Sequence, residues 1–358
     1  MFMKSIFLLI FLQWSVFSFS QEKITLLFAG DLMQHQAQMD AAQKDTKYNY
    51  DDCFKYLEKE ISKADVAIAN LEVTLGGKPY AGYPVFSAPD EFLYAIKKAG
   101  FDVLITANNH CLDKGAAGLE RTISILDSVK ILHAGTYINE DQREQNYPLL
   151  IRKNGFCIAL LNYTYATNGI SVEVPNLVNY IDKEIIGRDI EKARSFRPDA
   201  IIACMHWGEE YKTLPSDEQK ELADWLIACG VTHIIGSHPH VVQPMELRKN
   251  PQTLADNVVV YSLGNFISNM SAPDTDGGVL IKLELKKRNQ EVRVNKCSYG
   301  LVWTSRPVLS GKKNFILLPA ATPPKDISAS EANRLSIFVN NTRTFFSEYN
   351  KGINEYSF

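Results

Sequence analysis

The sequence predicts an α/β fold, a layered sandwich of two mixed β-sheets flanked by helices. Three observations carry that reading. Short apolar strands alternate with amphipathic helices from Ile24 to about Pro307, strands dominate the later part, and 46% of residues are apolar, enough for a large core.

Taken in order, Lys23–Gly30 reads as a strand and Asp51–Lys63 as a helix, with Phe54, Leu57 and Ile61 near helical spacing. Ala64–Asn70 is a second strand. Pro89–Ala99 is a helix with Phe92, Leu93 and Ile96 on one face and Gly100 as its C-cap. Phe101–Ala107 is the third strand, and Leu119–Val129 the next helix. Tyr147–Arg152 and Phe156–Leu161 form a hairpin, because Asn154-Gly155 suits the tight turn. Helix Asp182–Phe196, strand Ala200–Met205 and helix Pro215–Cys229 follow, the last opened by Pro215 and closed by Gly230. Val231–Gly236, Val258–Leu263 and Val279–Leu285 are strands, the third pairing with Val292–Cys297 across Asn289. From about Ser328 one helix of mixed polarity is expected to dock on the outside or fray.

The first twenty residues stand apart. Lys4 precedes an apolar run, Ser5 to Phe17, that is too short to span a bilayer and ends in Ser18-Phe19-Ser20. It reads as a signal peptide cut near Ser20–Gln21, placing the chain in the periplasm or outside the cell, anchored to the membrane if uncleaved. The expected organisation is a signal peptide at 1–20, a main domain at 21–318 and a helical extension at 319–358. A net charge of −3 with scattered Lys and Arg offers no basic stripe, which excludes nucleic acid as a partner. Cys157 and Cys204 lie in apolar runs, Cys53 and Cys229 in helix-like segments, and no pair has C-x-x-C spacing. Buried thiols are therefore expected, with room for one bridge, in place of thiolate or redox chemistry.

Five apolar strands run into metal-competent residues: Asp31; Asn70-Leu71-Glu72; Asn108-Asn109-His110; His206; and His238-Pro239-His240. Ligands collect beyond the carboxyl ends of strands in open α/β sheets, so these residues should converge. Carboxylate, amide and imidazole without Lys or Cys suit one or two divalent cations such as manganese, iron or zinc. A dimetal pair sharing a carboxylate would clamp both the attacking and leaving oxygens of a displacement.

Six motifs occur here in the order of one family: Gly30-Asp31-Leu32-Met33, Asn70-Leu71-Glu72, Ala107-Asn108-Asn109-His110, His206-Trp207-Gly208-Glu209-Glu210-Tyr211, Gly236-Ser237-His238-Pro239-His240-Val241 and Ser262-Leu263-Gly264-Asn265-Phe266. The chain resembles the CapA-type capsule proteins associated with poly-γ-glutamate synthesis, which are similar in fold and metal plan to calcineurin-like metallophosphoesterases. The resemblance covers Ile24 to Phe266 and, more loosely, to about Pro307. It implies a metallophosphatase-like four-layer sandwich in which Asp31 and His240 hold one metal, Glu72 bridges, and Asn109, His206 and His238 hold the second. His110 would protonate the leaving group, and water acidified by the cations would attack. Asn70 would be a ligand or orient Glu72.

One departure matters. The superfamily's first motif is Asp-x-His, whereas Met33 stands two residues after Asp31, so the first metal lacks an imidazole; His35 is a candidate substitute. Glu210, Tyr211 and Asn265 are candidates for substrate contact or for orienting ligands. His133 reads as a packed imidazole, and His233 begins a strand and is not read as a ligand. Ser237 supports no triad, Cys111 has no partner base, and Gly76-Gly77-Lys78 is a turn, not a phosphate loop.

Together these readings point to an exported metal-dependent hydrolase acting on a phosphoester or an amide-linked acidic polymer. The alternative is a non-catalytic metal-binding factor that binds an anionic polymer or a membrane-bound polymer synthase. A periplasmic metallo-nucleotidase is a third reading, but it would need an aromatic base clamp that the sequence does not reveal.

Overall fold

Alternation of side chains along the first strand sets the architecture. In β1, Glu22–Leu32, Ile24, Leu26 and Phe28 enter a core between two sheets, while Leu27 and Ala29 enter a second core under helices. The computed structural model describes residues 22–250 and 253–358, so the expected signal peptide lies outside the described residues.

The chain builds half of one sheet, then a whole second sheet, then returns. β2 (Val66–Leu71), β3 (Val103–Ile105) and β4 (Leu132–Ala134) continue parallel to β1. The second sheet holds β5 (Leu149–Lys153), β6 (Phe156–Thr164), β7 (Ala200–His206), β8 (His233–Ser237), β9 (Met245–Lys249) and β10 (Asp256–Val260), in spatial order β9-β10-β8-β7-β6-β5. Its centre is parallel, and β5 and β9 run antiparallel at its edges. The chain then returns beside the end of β1 as β11 (Asn265–Ile267) and flanks its other side antiparallel as β12 (Gly277–Arg288). β13 (Glu291–Ser305) and β14 (Ile316–Pro319) extend that edge, and β15 (Asn354–Glu355) pairs with β13. Helices Asp90–Ala99 and Gly115–Ser128 cover the first sheet, and Lys183–Ser195 and Asp217–Ala228 the second. The result is the expected four-layer sandwich with two mixed sheets.

Local chemistry agrees where the turn or cap is specific. Asn154 and Gly155 have φ of 49° and 78°, the two left-handed residues a tight hairpin requires. Gly100 caps Asp90–Ala99 at φ 107°. Elsewhere the structure departs from the sequence expectations. Residues 51–63 form two short helices, Asp51–Phe54 and Glu58–Ile61, with Phe54 and Leu57 in the helix-side core and Tyr56 partly buried against the other core. The helix expected to open at Pro215 starts two residues later, at Asp217, where the N-cap Ser216 and Gln219 form a capping box. Residues 319–358 contain helix Ala329–Tyr349, which docks, the first of the two expected outcomes: Leu335, Phe338 and Phe346 are buried, and Phe346 meets Tyr299 edge-on at 4.9 Å. All six cysteines are free and mostly buried, and burial pushes the Cys111 thiol up to about 12. Among the described residues no helix is long and apolar enough to cross a membrane.

His233, in β8, is a packed imidazole. Its Nδ1 accepts from the Val258 N–H at 3.2 Å, a bond only the neutral ring can accept in that way, and burial lowers its pKa from 6.5 to about 4. A lowered folded pKa contributes stability that is full above 6.5 and lost as pH falls towards 4. The shift corresponds to roughly 3 kcal/mol across that window. Replacing His233 with Gln should flatten the pH dependence of urea unfolding between pH 4 and 6.5; an unchanged slope would contradict this assignment.

Candidate metal centre

Close backbone approach explains the first ligand's position. A Cβ on Gly30 would lie 1.9 Å from the Gly264 carbonyl oxygen, so glycine lets β1 press against the return segment and pairs Asp31 with Asn265. Glu72 follows β2 directly, His206 ends β7, and His238 follows β8. His238 and His240 take left-handed backbone, with φ of 101° and 58°. Such non-glycine residues cost about 1–3 kcal/mol each and persist where the surroundings over-determine them.

These strand ends do converge. Ligand atoms of Asp31, Glu72 and His206 lie within 4.8 Å of one another, and so do those of Glu72, His238 and His240. Glu72 belongs to both groups, as a bridging carboxylate should. His206 lies with Asp31 and Glu72 in one group, and His238 and His240 with Glu72 in the other. His240 Nδ1 nevertheless keeps a 3.3 Å contact with Asp31 Oδ2. Asn109 Oδ1 is 2.8 Å from His206 Nε2, so that expected pair is also brought together.

Amides hold the ligands in register. Asn108 Nδ2 donates to the Leu71 carbonyl and to Asn70 Oδ1, at 2.8 and 3.2 Å. The Asn70 amide is thereby turned to donate to Asp31 Oδ1 at 2.7 Å and Glu72 Oε2 at 3.4 Å. Asn265 Nδ2 donates to the Thr275 carbonyl at 2.9 Å, which leaves its Oδ1 to accept from His240 Nδ1 at 3.1 Å. That fixes the His240 tautomer with the Nε2 lone pair facing Glu72, 3.8 Å away. Ser237 contributes a hydroxyl 3.2 Å from His206 Nδ1 and no nucleophile triad.

The site's electrostatics call for cations. Asp31 Oδ2, Glu72 Oε1 and His238 Nδ1 are buried without hydrogen bonds. Burial, then Asp31, Glu210 and Asp113, raise the Glu72 carboxyl well above its usual range. Burial and neighbouring imidazoles hold His206 well below its usual value and His238 down to about 3, so both rings are neutral and offer lone pairs. Buried oxygen and imidazole donors in an anionic cluster fit divalent cations, and hydrogen bonds leave Asp31 Oδ2, Glu72 Oε1 and His238 Nδ1 unsatisfied.

His110 is held in place by a carboxylate. Its Nδ1 lies 2.8 Å from Asp113 Oδ2, which the Phe86 N–H also holds at 2.7 Å. With Nδ1–H donating to Asp113, Nε2 is the atom left to exchange a proton. Phe86 packs edge-on at 4.7 Å.

His35 sits half-buried at the edge. Its Nδ1 faces Gln38 Oε1 at 3.2 Å and the Asn269 N–H at 3.3 Å, and its ring is not among the converging ligand atoms. Glu210 acts on Glu72 through its charge, and Tyr211 lies 6.4 Å from the His240 ring. His133 pairs with Asp127 at 3.0 Å. The sequence placed Asn108 in a metal-competent strand end without giving it a role, and did not single out Asp113, Tyr83 or Tyr165. His110-x-x-Asp113 spacing was the available signal for the dyad; nothing local marked Tyr165, which stands against His238 at 4.5 Å.

A family model described as Bacterial capsule synthesis protein PGA_cap matches residues 25–270. The capsule biosynthesis protein CapA of Bacillus anthracis is 27% identical over 277 residues, which cover 74% of this chain but 64% of that protein. The PGA biosynthesis protein CapA of Bacillus subtilis is 27% identical over 284 residues, covering 75% and 70%. Among solved structures, Haemophilus influenzae NAD nucleotidase shares the fold at a TM-score of 0.50 and 12% identity, covering 94% of this chain and 64% of that one. The calcineurin-like phosphoesterase YfkN of Bacillus subtilis matches with a TM-score of 0.46 and 15% identity, over 91% of this chain and 99% of that one.

Proposed function

Because this chain belongs to the bacterial capsule synthesis protein family PGA_cap, we propose that it is an exported metal-dependent hydrolase that cuts a phosphoester or amide bond in making or processing a surface polymer. One observation carries the reading: Asp31, Glu72, His206, His238 and His240 gather in two overlapping groups that leave Asp31 Oδ2, Glu72 Oε1 and His238 Nδ1 buried and unpartnered, and the chain also holds a positioned His110–Asp113 pair. Asp31, Glu72, Asn109, His206, His238 and His240 would hold two divalent ions. When bound, these ions would supply Lewis acidity and lower the pKa of water at the site.

The chain's own residues do the rest. Asn70 and Asn265 keep Asp31 and His240 oriented. His110 Nε2 delivers a proton to the leaving group, and Asp113 stabilises the protonated ring and fixes which nitrogen carries the exchanging proton. The alternative role, holding an anionic chain or a membrane synthase without chemistry, has no use for that dyad.

The test is a substrate screen of the manganese-loaded mature chain with phosphodiester and γ-glutamyl compounds. Turnover should disappear in Asp31→Ala and His240→Ala. Asp113→Asn should retain metal and lower kcat by about 10–10²-fold, short of the loss from removing the imidazole. Stoichiometric metal without turnover of any compound would favour the binding role.

A further inference from the structure

We propose that the groove beside Tyr165 is a subsite for a sugar ring, making the substrate a glycosyl phosphoester and not a γ-glutamyl chain. The inference takes the hydrolase reading above as its premise and names the substrate class of that same site. Tyr165 directly follows β6, and its N–H donates to the His206 carbonyl at 3.0 Å, so its backbone is tied to a candidate ligand. Its ring lies 4.5 Å from His238 and nearly parallel to His206, at 16° and 6.4 Å, yet remains 45% exposed. One side of the ring therefore borders the candidate metal centre while much of the rest is open.

The open side forms a wall of a groove of about 410 Å³. Ile181, Trp207 and Leu222 supply apolar lining, and Glu209 and Glu218 supply carboxylates. Among the described residues no Lys or Arg lines this groove; Lys212 belongs to the adjacent cavity. An aromatic wall packs well on the apolar C–H face of a pyranose, and carboxylates accept hydrogen bonds from its hydroxyls. The same carboxylates repel a polyanion, whose charges would repeat along the groove. A substrate with a neutral ring and one phosphoryl group meets both requirements, placing its only charge over the ligand cluster. Tyr83 and Tyr211, 71% and 51% exposed, flank His110 and His240 and continue the phenolic rim.

The experiment compares four compounds on the manganese-loaded chain: glucose 1-phosphate, ringless glycerol 2-phosphate, adenosine 5′-monophosphate and a γ-glutamyl oligomer. Glucose 1-phosphate should be preferred. Tyr165→Ala should raise its KM by about 5–10-fold, the loss of one ring contact, while leaving glycerol 2-phosphate unaffected. Tyr165→Trp should restore the KM. Preference for the nucleotide or the γ-glutamyl oligomer would overturn the assignment, as would equal damage to both glucose 1-phosphate and glycerol 2-phosphate. Calorimetric titration with glucose 1-phosphate separates the two readings. Binding weakened by Tyr165→Ala, without turnover of any compound, upholds the groove and overturns the hydrolase. Turnover of glycerol 2-phosphate with no preference for glucose 1-phosphate upholds the hydrolase and overturns the groove.

Discussion

Glu72→Gln is expected to unfold at a higher temperature than the parent in chelator and to gain nothing from added manganese. Glu72 is fully buried, its Oε1 has no hydrogen bond, and Asp31, Glu210 and Asp113 add to burial in opposing its charge. A carboxyl raised in the folded state destabilises the metal-free protein as pH climbs above the ordinary value of 4.5, because only the unfolded chain releases that proton freely. Gln keeps the shape and removes the charge. The same change deletes the one carboxylate common to both ligand groups, so metal affinity should fall by more than about 10²-fold. With metal at a hundred times its Kd, each filled site should stabilise the parent by about 2.7 kcal/mol, and the variant by nothing measurable. Thermal unfolding with and without manganese reads both arms. A variant less stable than the parent in chelator would show that Glu72 has a structural role instead.

His110→Ala should lower kcat for alkyl phosphoesters by about 10²–10⁴-fold while leaving metal content unchanged. The imidazole is buried and held by Asp113, but it is not among the converging ligand atoms, so its removal should spare the metals. The loss should depend on the leaving group. A nitrophenolate departs without protonation, so nitrophenyl esters should lose far less than alkyl esters. Equal losses on both would make His110 a ligand or a packing residue and not the acid.

The parts of the fold that were legible from sequence are those where one physical signal dominates. Apolar runs such as Ile201–Met205 are buried on both faces, and their polar ends at His206 and His238 announced the site. Asn154-Gly155 could adopt left-handed backbone cheaply and so gave its hairpin. The break at Tyr56 was not legible, because the spacing of Phe54, Leu57 and Ile61 continues across it. For helix Ala329–Tyr349 the sequence left docking and fraying both open, because its mixed polarity gives only a weak apolar face. Within the site, the convergence of Asp31, Glu72, His206, His238 and His240 could be read, but not the amide contacts that hold them. Asn108 acts through contacts to Asn70 and Leu71 that exist only once β2 and β3 are side by side, whereas Asp113 stands three residues from His110, a spacing the sequence does display. Tyr165 gains its place from the pairing of β6 with β7, which no local pattern encodes.

The central claim is that the converging strand ends hold two metal ions, and elemental analysis of the purified mature chain addresses it most directly. The account predicts close to two equivalents of manganese, iron or zinc per chain, falling below one in Glu72→Gln. A parent chain that retains no stoichiometric metal, and takes up none on titration, would contradict it.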